Sequence, residues 1–343
     1  MHDMKPVHGG DLARAIALWG GDKSDWIDCS AGISPVAYLL PPVPEAVWRA
    51  LPDGDAELLE AARSYYGCTS LIAMPGSQAA IRILPKLRRA CRVGIISPAY
   101  AEHAWQWQQA GHTVRIMAPA EVDTHLADLD VLIVVNPNNP IGTHWPRDTL
   151  LGWHAELVRH GGWLIADEAF ADAMPQESLI GHAGLPGLII LRSIGKFFGL
   201  AGLRLGFMAA EPSILMRAAD ALGPWAVSGP AQWAGTLALR DVAWHDRQRK
   251  DLDDHARWLA TVLTRHGLAP ASSLPLLCWC PTGQAAVWQA ALAEQHVWCR
   301  RFDEPAGLRF GPVANRSEFL RRVESAYQNI QYATTSKTTM EAS

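Results

Sequence analysis

The sequence lacks any stretch of about 18 consecutive apolar residues, the length that would cross a bilayer. It has no His-Glu-x-x-His motif, and its first residues do not resemble a secretory signal peptide. It also has no long block of one charge sign, since 30 basic and 34 acidic residues give a formal net charge of −4. We therefore expect no membrane insertion, no metal catalysis and no nucleic-acid-binding surface.

The six cysteines are few and irregularly spaced, at positions 29, 68, 91, 278, 280 and 299. They form no recognisable disulfide framework, so a reducing cytoplasm is the natural location. Cys278 and Cys280 lie in an apolar run without a second cysteine pair nearby. We interpret both as core residues and not as zinc ligands.

Apolar runs that alternate with helical stretches indicate the fold class. Hydrophobic residues make up 49% of the 343 positions, enough for one large core and a second, smaller one. Because the runs alternate with helices, we predict an α/β fold with a mostly parallel sheet covered on both faces. The predicted strands are 93–96, 113–117, 131–135, 163–166, 188–191 and 205–209.

The sequence also suggests a division into domains. We predict a large domain over residues 36–235 and a smaller α/β domain over residues 236–332. Residues 1–35 are interpreted as an N-terminal arm that joins the smaller domain. The tail 333–343, rich in Ser and Thr without hydrophobic anchors, is expected to be disordered.

Lys196 is the residue on which the functional interpretation depends. It follows the apolar run 188–191, so it leaves the predicted sheet at an edge where α/β proteins bind ligands. A lysine amine held in a partly buried place can form a Schiff base with an aldehyde cofactor. Ser193, and Arg204 eight residues beyond Lys196, are candidates for holding a phosphate of that cofactor.

Two upstream segments end in polar residues suited to a pyridine cofactor. Asp167 ends the apolar run 163–166, and a buried carboxylate there would keep a pyridine nitrogen protonated. Asn139 lies in the Asn/Pro-rich turn after the run 131–135, and we select it to hydrogen-bond a phenolic oxygen.

A third segment, Gly76-Ser77-Gln78, precedes a helical stretch predicted over residues 79–90. Backbone N–H groups at a helix start, together with a small hydroxyl residue, suit a phosphate. Pro85 falls inside this stretch, so we expect a kink there.

These residues together resemble the fold-type I pyridoxal-phosphate enzymes, in the branch of histidinol-phosphate aminotransferases and threonine-phosphate decarboxylases. The resemblance spans about residues 7–325. It implies a large domain with a mostly parallel sheet between helices, a smaller α/β domain, pyridoxal 5′-phosphate as cofactor, and a homodimer. By position, the resemblance implies that Lys196 forms the Schiff base, that Asp167 pairs with the pyridine nitrogen and that Asn139 pairs with the phenolate oxygen. It also implies that Ser193 and Arg204 bind the cofactor phosphate and that Arg309 binds the substrate α-carboxylate.

The N-terminal part is more similar to the threonine-phosphate decarboxylases of cobalamin biosynthesis. The resemblance is carried by His8-Gly9-Gly10, by residues 26–35 and by residues 97–103. His103 falls where this branch usually has an aromatic residue that stacks on the pyridine ring, and an imidazole can stack as well.

This resemblance implies decarboxylation of L-threonine O-3-phosphate to (R)-1-aminopropan-2-yl phosphate. His8 and Arg300 are the candidates for binding the substrate phosphate, and Arg301 is an equal rival of Arg300.

Two other functions remain open. One is an aminotransferase that acts on histidinol phosphate or a similar amino acid, and the other is a non-catalytic ligand-binding protein on the same fold. Leu51 stands where related chains carry a tyrosine that reaches the neighbouring subunit's cofactor phosphate. Phe170 replaces a tyrosine common after the Asp-Glu-Ala phrase. The sequence alone does not decide between decarboxylation and transamination, nor whether subunits share an active site.

Overall fold

The computed structural model describes residues 10–52 and 54–341, which form two compact units. The first unit contains residues Ala37–Asn139 and Thr143–Arg249, apart from residue 53. The second contains residues 10–36, Pro140–Gly142 and residues 250–341.

The described residues form strands and helices along the whole chain. The strands are β1 Ile27–Asp28, β2 Leu71–Met74, β3 Arg92–Ile96, β4 Thr113–Met117, β5 Val131–Val135, β6 Trp163–Asp167, β7 Leu188–Ser193, β8 Gly206–Ala209, β9 Ser272–Leu274, β10 Leu277–Pro281, β11 Val297–Trp298, β12 Arg300–Asp303 and β13 Ala306–Phe310. The helices are α1 Leu12–Trp19, α2 Glu45–Arg49, α3 Ala56–Tyr66, α4 Ser77–Ile83, α5 Glu102–Gln109, α6 Val122–His125, α7 Arg147–Val158, α8 Ile194–Phe197, α9 Pro212–Leu222, α10 Gly229–Arg240, α11 Val242–Arg265, α12 Ala285–Glu294 and α13 Arg316–Glu341.

The first unit is built around a seven-stranded sheet in the spatial order β2-β8-β7-β6-β5-β3-β4. Strands β3 to β7 are parallel, and β8 pairs antiparallel with both β7 and β2. Every residue of β5, β6 and β7 is buried, as expected for parallel strands whose two faces are both covered by helices. The predicted α/β fold with a mostly parallel sheet is confirmed, and β2 is a strand that the sequence did not reveal.

Helix α4 is shorter than the sequence predicts. It ends at Ile83 and passes into a 3-10 turn, Leu84–Leu87, where the prediction extended a kinked helix from 79 to 90. Pro85 lies in this turn, and because proline has no backbone N–H it cannot continue the α-helical hydrogen-bond pattern.

The boundary between the units lies at residues 249 and 250 and not at the predicted 235 and 236. Helix α10 stays with the first unit because its small residues allow close packing. A Cβ atom at Gly235 would collide with Leu205 and would lie 3.0 Å from Leu58 of α3.

The second unit has a four-stranded antiparallel sheet in the order β12-β13-β10-β9 and a short parallel pair, β1 with β11. Its core includes Trp288, Phe310 and Phe319. Cys278 and Cys280 lie in this core, as predicted, with 1% and 0% of their surfaces exposed. Within residues 10–52 and 54–341, no group of three or more His, Cys, Asp or Glu side chains could hold a metal ion.

The C-terminal helix extends further than the sequence predicts. Helix α13 runs to Glu341, whereas disorder was expected from residue 333. Ile330 and Ala326 anchor this helix in the core, and each residue added to an existing helix gains one backbone hydrogen bond. Residues 342 and 343 lie outside the described part of the chain. Over that part, no helix combines the length and the apolar character needed to span a membrane.

Candidate active site

The candidate residues of the first unit lie at the carboxyl ends of neighbouring parallel strands. Asp167 is the last residue of β6 and pairs with Val135 of β5 and Leu191 of β7. Half-buried Asn139 follows β5, and half-buried Lys196 follows β7 on the one-turn helix α8. The register of three strands therefore places these groups on one edge of the sheet, where α/β proteins bind ligands.

Asp167 is held by two donors in a buried setting. Its Oδ2 atom lies 2.9 Å from Nε2 of His103 on α5, and its Oδ1 accepts a hydrogen bond of 3.1 Å from the backbone N–H of Ala169. His103 and Asp167 expose only 1% and 4% of their surfaces. Because a carboxylate only accepts, Nε2 carries the proton, and the two oxygens keep lone pairs for one more donor.

The sequence analysis did not predict that His103 contacts Asp167. The sequence suggested that the imidazole stacks on the cofactor ring, and this stacking stays a prediction. The structure shows in addition that His103 orients the carboxylate expected to face the pyridine nitrogen. His103 lies three residues after Tyr100, at the start of α5, and the two rings are in edge contact with centroids 6.3 Å apart.

Tyr100, Gln78 and Glu102 form a hydrogen-bonded chain beside this pair. Tyr100 Oη donates to Gln78 Oε1 at 3.1 Å, and Gln78 Nε2 donates to Glu102 Oε2 at 2.8 Å. Burial, with the nearby Glu102 and Asp167 charges, raises the pKa of Tyr100 to about 12. The phenol therefore stays a neutral donor at physiological pH. Tyr100 and Glu102 were missed because their partner Gln78 is far away in the sequence.

The predicted phosphate-binding residues meet where strands β2, β8 and β7 are adjacent. Gly206 of β8 pairs with Met74 of β2 and with Ser193 of β7. A Cβ atom at Gly206 would lie 2.6 Å from the backbone nitrogen of Ser77, and one at Gly76 would lie 2.8 Å from Arg204 Nη2. This contact set brings a helix-start N–H, a hydroxyl and a guanidinium together, and it fits a phosphate group.

Arg204 adopts a left-handed backbone conformation, with φ 53° and ψ 52°. Non-glycine residues adopt this region at a cost, and such residues cluster at functional sites. The conformation carries the Arg204 side chain toward Gly76, while its Nη1 donates to Ala201 O at 2.9 Å.

Lys196 lies over an aromatic ring. Its Nζ atom is 5.4 Å from the centroid of the Phe170 ring, and Phe170 is 6% exposed. Phe170 follows Asp167-Glu168-Ala169, so the segment that supplies the carboxylate also supplies this ring. An amine on one strand end and a carboxylate on the next are the groups that pyridoxal phosphate needs, and the residues present fit that cofactor.

A buried ion-pair network lies directly beside the two site strands. Arg192, the residue before Ser193, places Nη1 2.8 Å from Oε2 of Glu168, the residue after Asp167, and its Nη2 bonds Asp172. All three side chains are fully buried, and the Arg192 guanidinium also lies 4.8 Å from the Tyr66 ring centroid. The network ties β7 to the end of β6, and the sequence did not reveal it because Arg192 is 24 and 20 residues away from its two carboxylate partners along the chain.

The second unit contains the predicted substrate-binding arginines. Arg300 of β12 pairs with Arg309 of β13, and both guanidinium groups lie over the Phe302 ring, at 5.5 and 5.7 Å from its centroid. Arg301 points to the opposite face of the strand and pairs with Asp303 at 3.2 Å. The structure therefore separates Arg300 from its rival Arg301. His8, the other candidate, lies outside the described residues.

Arg309 is buried and Arg300 is half-buried. Burial and the neighbouring Arg300 charge lower the pKa of Arg309 to about 10. Burial lowers the pKa of Arg300, and the positive charge of Arg14 lowers it further. Two guanidinium groups on one face of a small sheet favour the binding of an anionic ligand.

Two threonine-phosphate decarboxylases are similar to this chain over most of its length, and a histidinol-phosphate aminotransferase is similar over less than half of it. A threonine-phosphate decarboxylase of Pseudomonas aeruginosa is 46% identical over 314 residues, covering 92% of this chain and 95% of that protein. A threonine-phosphate decarboxylase of a Sinorhizobium species is 41% identical, covering 89% and 92%. A histidinol-phosphate aminotransferase of Mycobacterium tuberculosis is 37% identical over 158 residues, but these cover only 44% of this chain and 40% of that protein.

Solved structures share the fold at low sequence identity. The histidinol-phosphate aminotransferase of Sinorhizobium meliloti, in complex with pyridoxal-5′-phosphate, has a TM-score of 0.79 at 18% identity and covers 96% of each chain. The L-threonine-O-3-phosphate decarboxylase of Porphyromonas gingivalis has a TM-score of 0.73 at 18% identity and covers 89% of this chain and 99% of its own.

A family model described as aminotransferase class I and II matches residues 50–322. This match covers well over half of the chain and contains the candidate residues from Gly76 to Arg309. The predicted fold-type I architecture and pyridoxal 5′-phosphate cofactor are confirmed by it together with the relatives above. The chain belongs to the aminotransferase class I and II family.

Proposed function

We propose that this protein is a pyridoxal-phosphate-dependent carboxy-lyase that converts L-threonine O-3-phosphate to (R)-1-aminopropan-2-yl phosphate. The observation that carries the proposal is the placement of Lys196 and Asp167 at the carboxyl ends of adjacent strands. The substrate is inferred from similarity to proteins named threonine-phosphate decarboxylase over about nine-tenths of the chain.

The first unit offers a group for each polar part of the cofactor. Lys196 Nζ would bind it covalently, Asp167 would pair with the pyridine nitrogen and Asn139 with the phenolic oxygen. Its phosphate would contact Ser77, Ser193 and Arg204, while Gly76 and Gly206 keep the space open and Gln78 holds Tyr100 in place. When bound, pyridoxal phosphate supplies an electron sink for the pair left by a departing group.

The protein residues would then supply position and one proton. Asp167, held by His103, would stabilise the positive charge of the protonated pyridine nitrogen. In decarboxylation the bond between Cα and the carboxylate carbon breaks, CO2 leaves, and Cα takes a proton instead. Lys196 in its ammonium form holds that proton on Nζ.

The second unit contains two arginines whose charges suit a substrate with two anionic groups. Arg309 would bind the α-carboxylate and Arg300 the phosphate, since the two guanidinium groups share one face of the sheet. His8 remains a candidate for the same phosphate. Arg301 is disfavoured because it lies on the other face beside Asp303.

An aminotransferase for histidinol phosphate is the second candidate function. The 37% identity to mycobacterial histidinol-phosphate aminotransferases favours it, but the similarity covers less than half of this chain. A non-catalytic ligand-binding protein is the third. The presence of both Lys196 and Asp167 in the expected places argues against it.

The direct test is to incubate the purified protein, loaded with pyridoxal phosphate, with L-threonine O-3-phosphate. We expect release of CO2 in an amount equal to the amine product, with Lys196→Ala as the inactive control. A matched reaction with histidinol phosphate and a 2-oxo acid tests the alternative. Formation of pyridoxamine phosphate without CO2 would reject the decarboxylase.

Three further properties belong to this proposal. The product would supply the aminopropanol phosphate unit of cobalamin, the enzyme would be a homodimer, and it would act in the cytoplasm. Sedimentation at micromolar concentration tests the dimer, and a monomer that remains fully active would contradict it.

A further inference from the structure

The contact between Lys196 and Phe170 concerns the proton that the proposed reaction needs. The Nζ atom lies 5.4 Å from the ring centroid, within the distance at which a cation is attracted to the face of an aromatic ring. This attraction acts on the ammonium form and not on the neutral amine. The Phe170 ring is buried, so water screens the attraction little.

The position of Phe170 is firmly determined by its neighbours. Asp167, Ala169 and Glu168 precede it, and Asp172 follows it. Glu168 and Asp172 both bind Arg192, and Asp167 binds Ala169 N–H and His103. The ring therefore lies on a short segment tied at both ends by buried polar contacts.

We propose that Phe170 is a positioning residue that keeps Lys196 in the ammonium form over its ring, so that Lys196 donates a proton to Cα after CO2 leaves. This inference rests on the proposed function for its consequence, but not for the contact itself. It makes Phe170 a residue that influences the protonation state of Lys196.

The chemical reason is that the two possible reactions need opposite forms of Lys196. In decarboxylation the electron pair of the broken carbon–carbon bond stays at Cα, and a proton from Nζ forms the new carbon–hydrogen bond, leaving a neutral amine. In transamination a neutral Nζ must first remove the hydrogen from Cα. A ring that stabilises the ammonium form favours the first reaction and disfavours the second.

The site also contains the charged groups Asp167, paired with His103, Arg204 beside Gly76, and Glu102 bonded to Gln78. These groups are the same in all variants at position 170. Substitutions there that differ only in the ring therefore isolate its effect.

The first measurement uses the cofactor-free full-length chain at one fixed pH. An amine-selective acylating reagent reacts with neutral amines only, so the labelling rate of Lys196, followed by peptide mass spectrometry, reports its neutral fraction. Phe170→Leu removes the aromatic face, and the rate should rise about 2- to 30-fold. Phe170→Tyr keeps the face, and its rate should stay close to that of the unaltered protein.

A second series separates the ring's electrostatics from its packing. Fluorinated phenylalanines at position 170 weaken the negative ring face step by step while nearly preserving ring shape. The labelling rate should rise with each fluorine, a trend that a merely structural role would not give. This series also keeps the inference testable if Phe170→Leu fails to fold.

The holoenzyme supplies the functional readout. We expect Phe170→Leu to form more pyridoxamine phosphate per CO2 released from L-threonine O-3-phosphate than the unaltered enzyme does. Equal labelling rates across the fluorinated series would overturn the role of Phe170, even in an active decarboxylase. Unaltered enzyme that releases no CO2 would overturn the proposed function, while the labelling trend would still establish the contact.

Discussion

Replacing Arg192 with methionine should destabilise the first unit strongly. Arg192 is 1% exposed and is the shared partner of Glu168 and Asp172, both 0% exposed. Methionine fills much of the same space but leaves two buried carboxylates without their cation. Removing one partner of a buried ion pair costs about 3–5 kcal/mol, a large part of the roughly 5–15 kcal/mol that stabilises a folded domain.

Urea unfolding of the cofactor-free chain, followed by tryptophan fluorescence, measures this loss. Nine of the 15 tryptophans lie in the sequence ranges of the first unit, so most of the signal reports its unfolding. Arg92→Met is the matched control because Arg92 pairs with Asp130 at the surface, at 3.2 Å and with 55% of its side chain exposed. Such a pair is worth roughly 0–1 kcal/mol. A loss below about 1 kcal/mol for Arg192→Met would refute the assignment.

The free energy of unfolding that Arg192→Met loses should also depend on pH, and it should become smaller as the pH falls. Burial raises the pKa of Glu168 in the folded protein, and Arg192 opposes this rise. A raised carboxyl pKa favours folding at pH values below the unfolded value, near 4.5, and that contribution disappears as the pH rises through the folded value. Without Arg192 the pKa of Glu168 is raised further. The difference in unfolding free energy between the variant and the unaltered protein should therefore shrink as the pH falls toward 4.5, and a constant difference would contradict this reasoning.

Three further predictions concern the site. Lys196→Ala should abolish the visible absorption of the lysine-bound cofactor, and an imine still trapped by borohydride would mean that another amine binds it. His103→Phe removes the donor to Asp167, so cofactor affinity measured by fluorescence titration should fall by the equivalent of about 1–3 kcal/mol. Gly206→Ala should weaken cofactor binding because its Cβ would lie 2.6 Å from Ser77 N, whereas Gly152→Ala in α7, with open space around it, should bind normally.

The arginines of the second unit provide one more comparison with a built-in control. Arg300→Gln should raise the KM for L-threonine O-3-phosphate more than tenfold, about 1.4 kcal/mol, because a charge-assisted contact to the phosphate is lost. Arg301→Gln should leave KM nearly unchanged, since Arg301 lies on the opposite face beside Asp303. Equal effects would show that strand position does not decide which arginine binds the substrate.

Local patterns predicted much of the fold. The strands 113–117 and 131–135 were predicted with the bounds that the structure has. Strand β5 is fully buried and reads as a continuous apolar run, whereas β4 lies at the sheet edge and is mostly exposed. Strand β2 was missed since four residues at a sheet edge carry little pattern. Helix α4 ended early at Ile83 because of Pro85, and helix α13 continued beyond the expected end because its anchored turns allow further backbone hydrogen bonds.

The sequence by itself determined the residue types at the strand ends, and with them the family, the cofactor and the identity of Lys196 and Asp167 as candidates. Only the tertiary structure decided which side chains meet: His103 with Asp167, Arg192 with Glu168 and Asp172, and Lys196 over the ring of Phe170. The physical reason is that strand patterns are local, with a period of two residues, whereas hydrogen bonds and ring contacts act over a few ångströms in space between residues far apart along the chain.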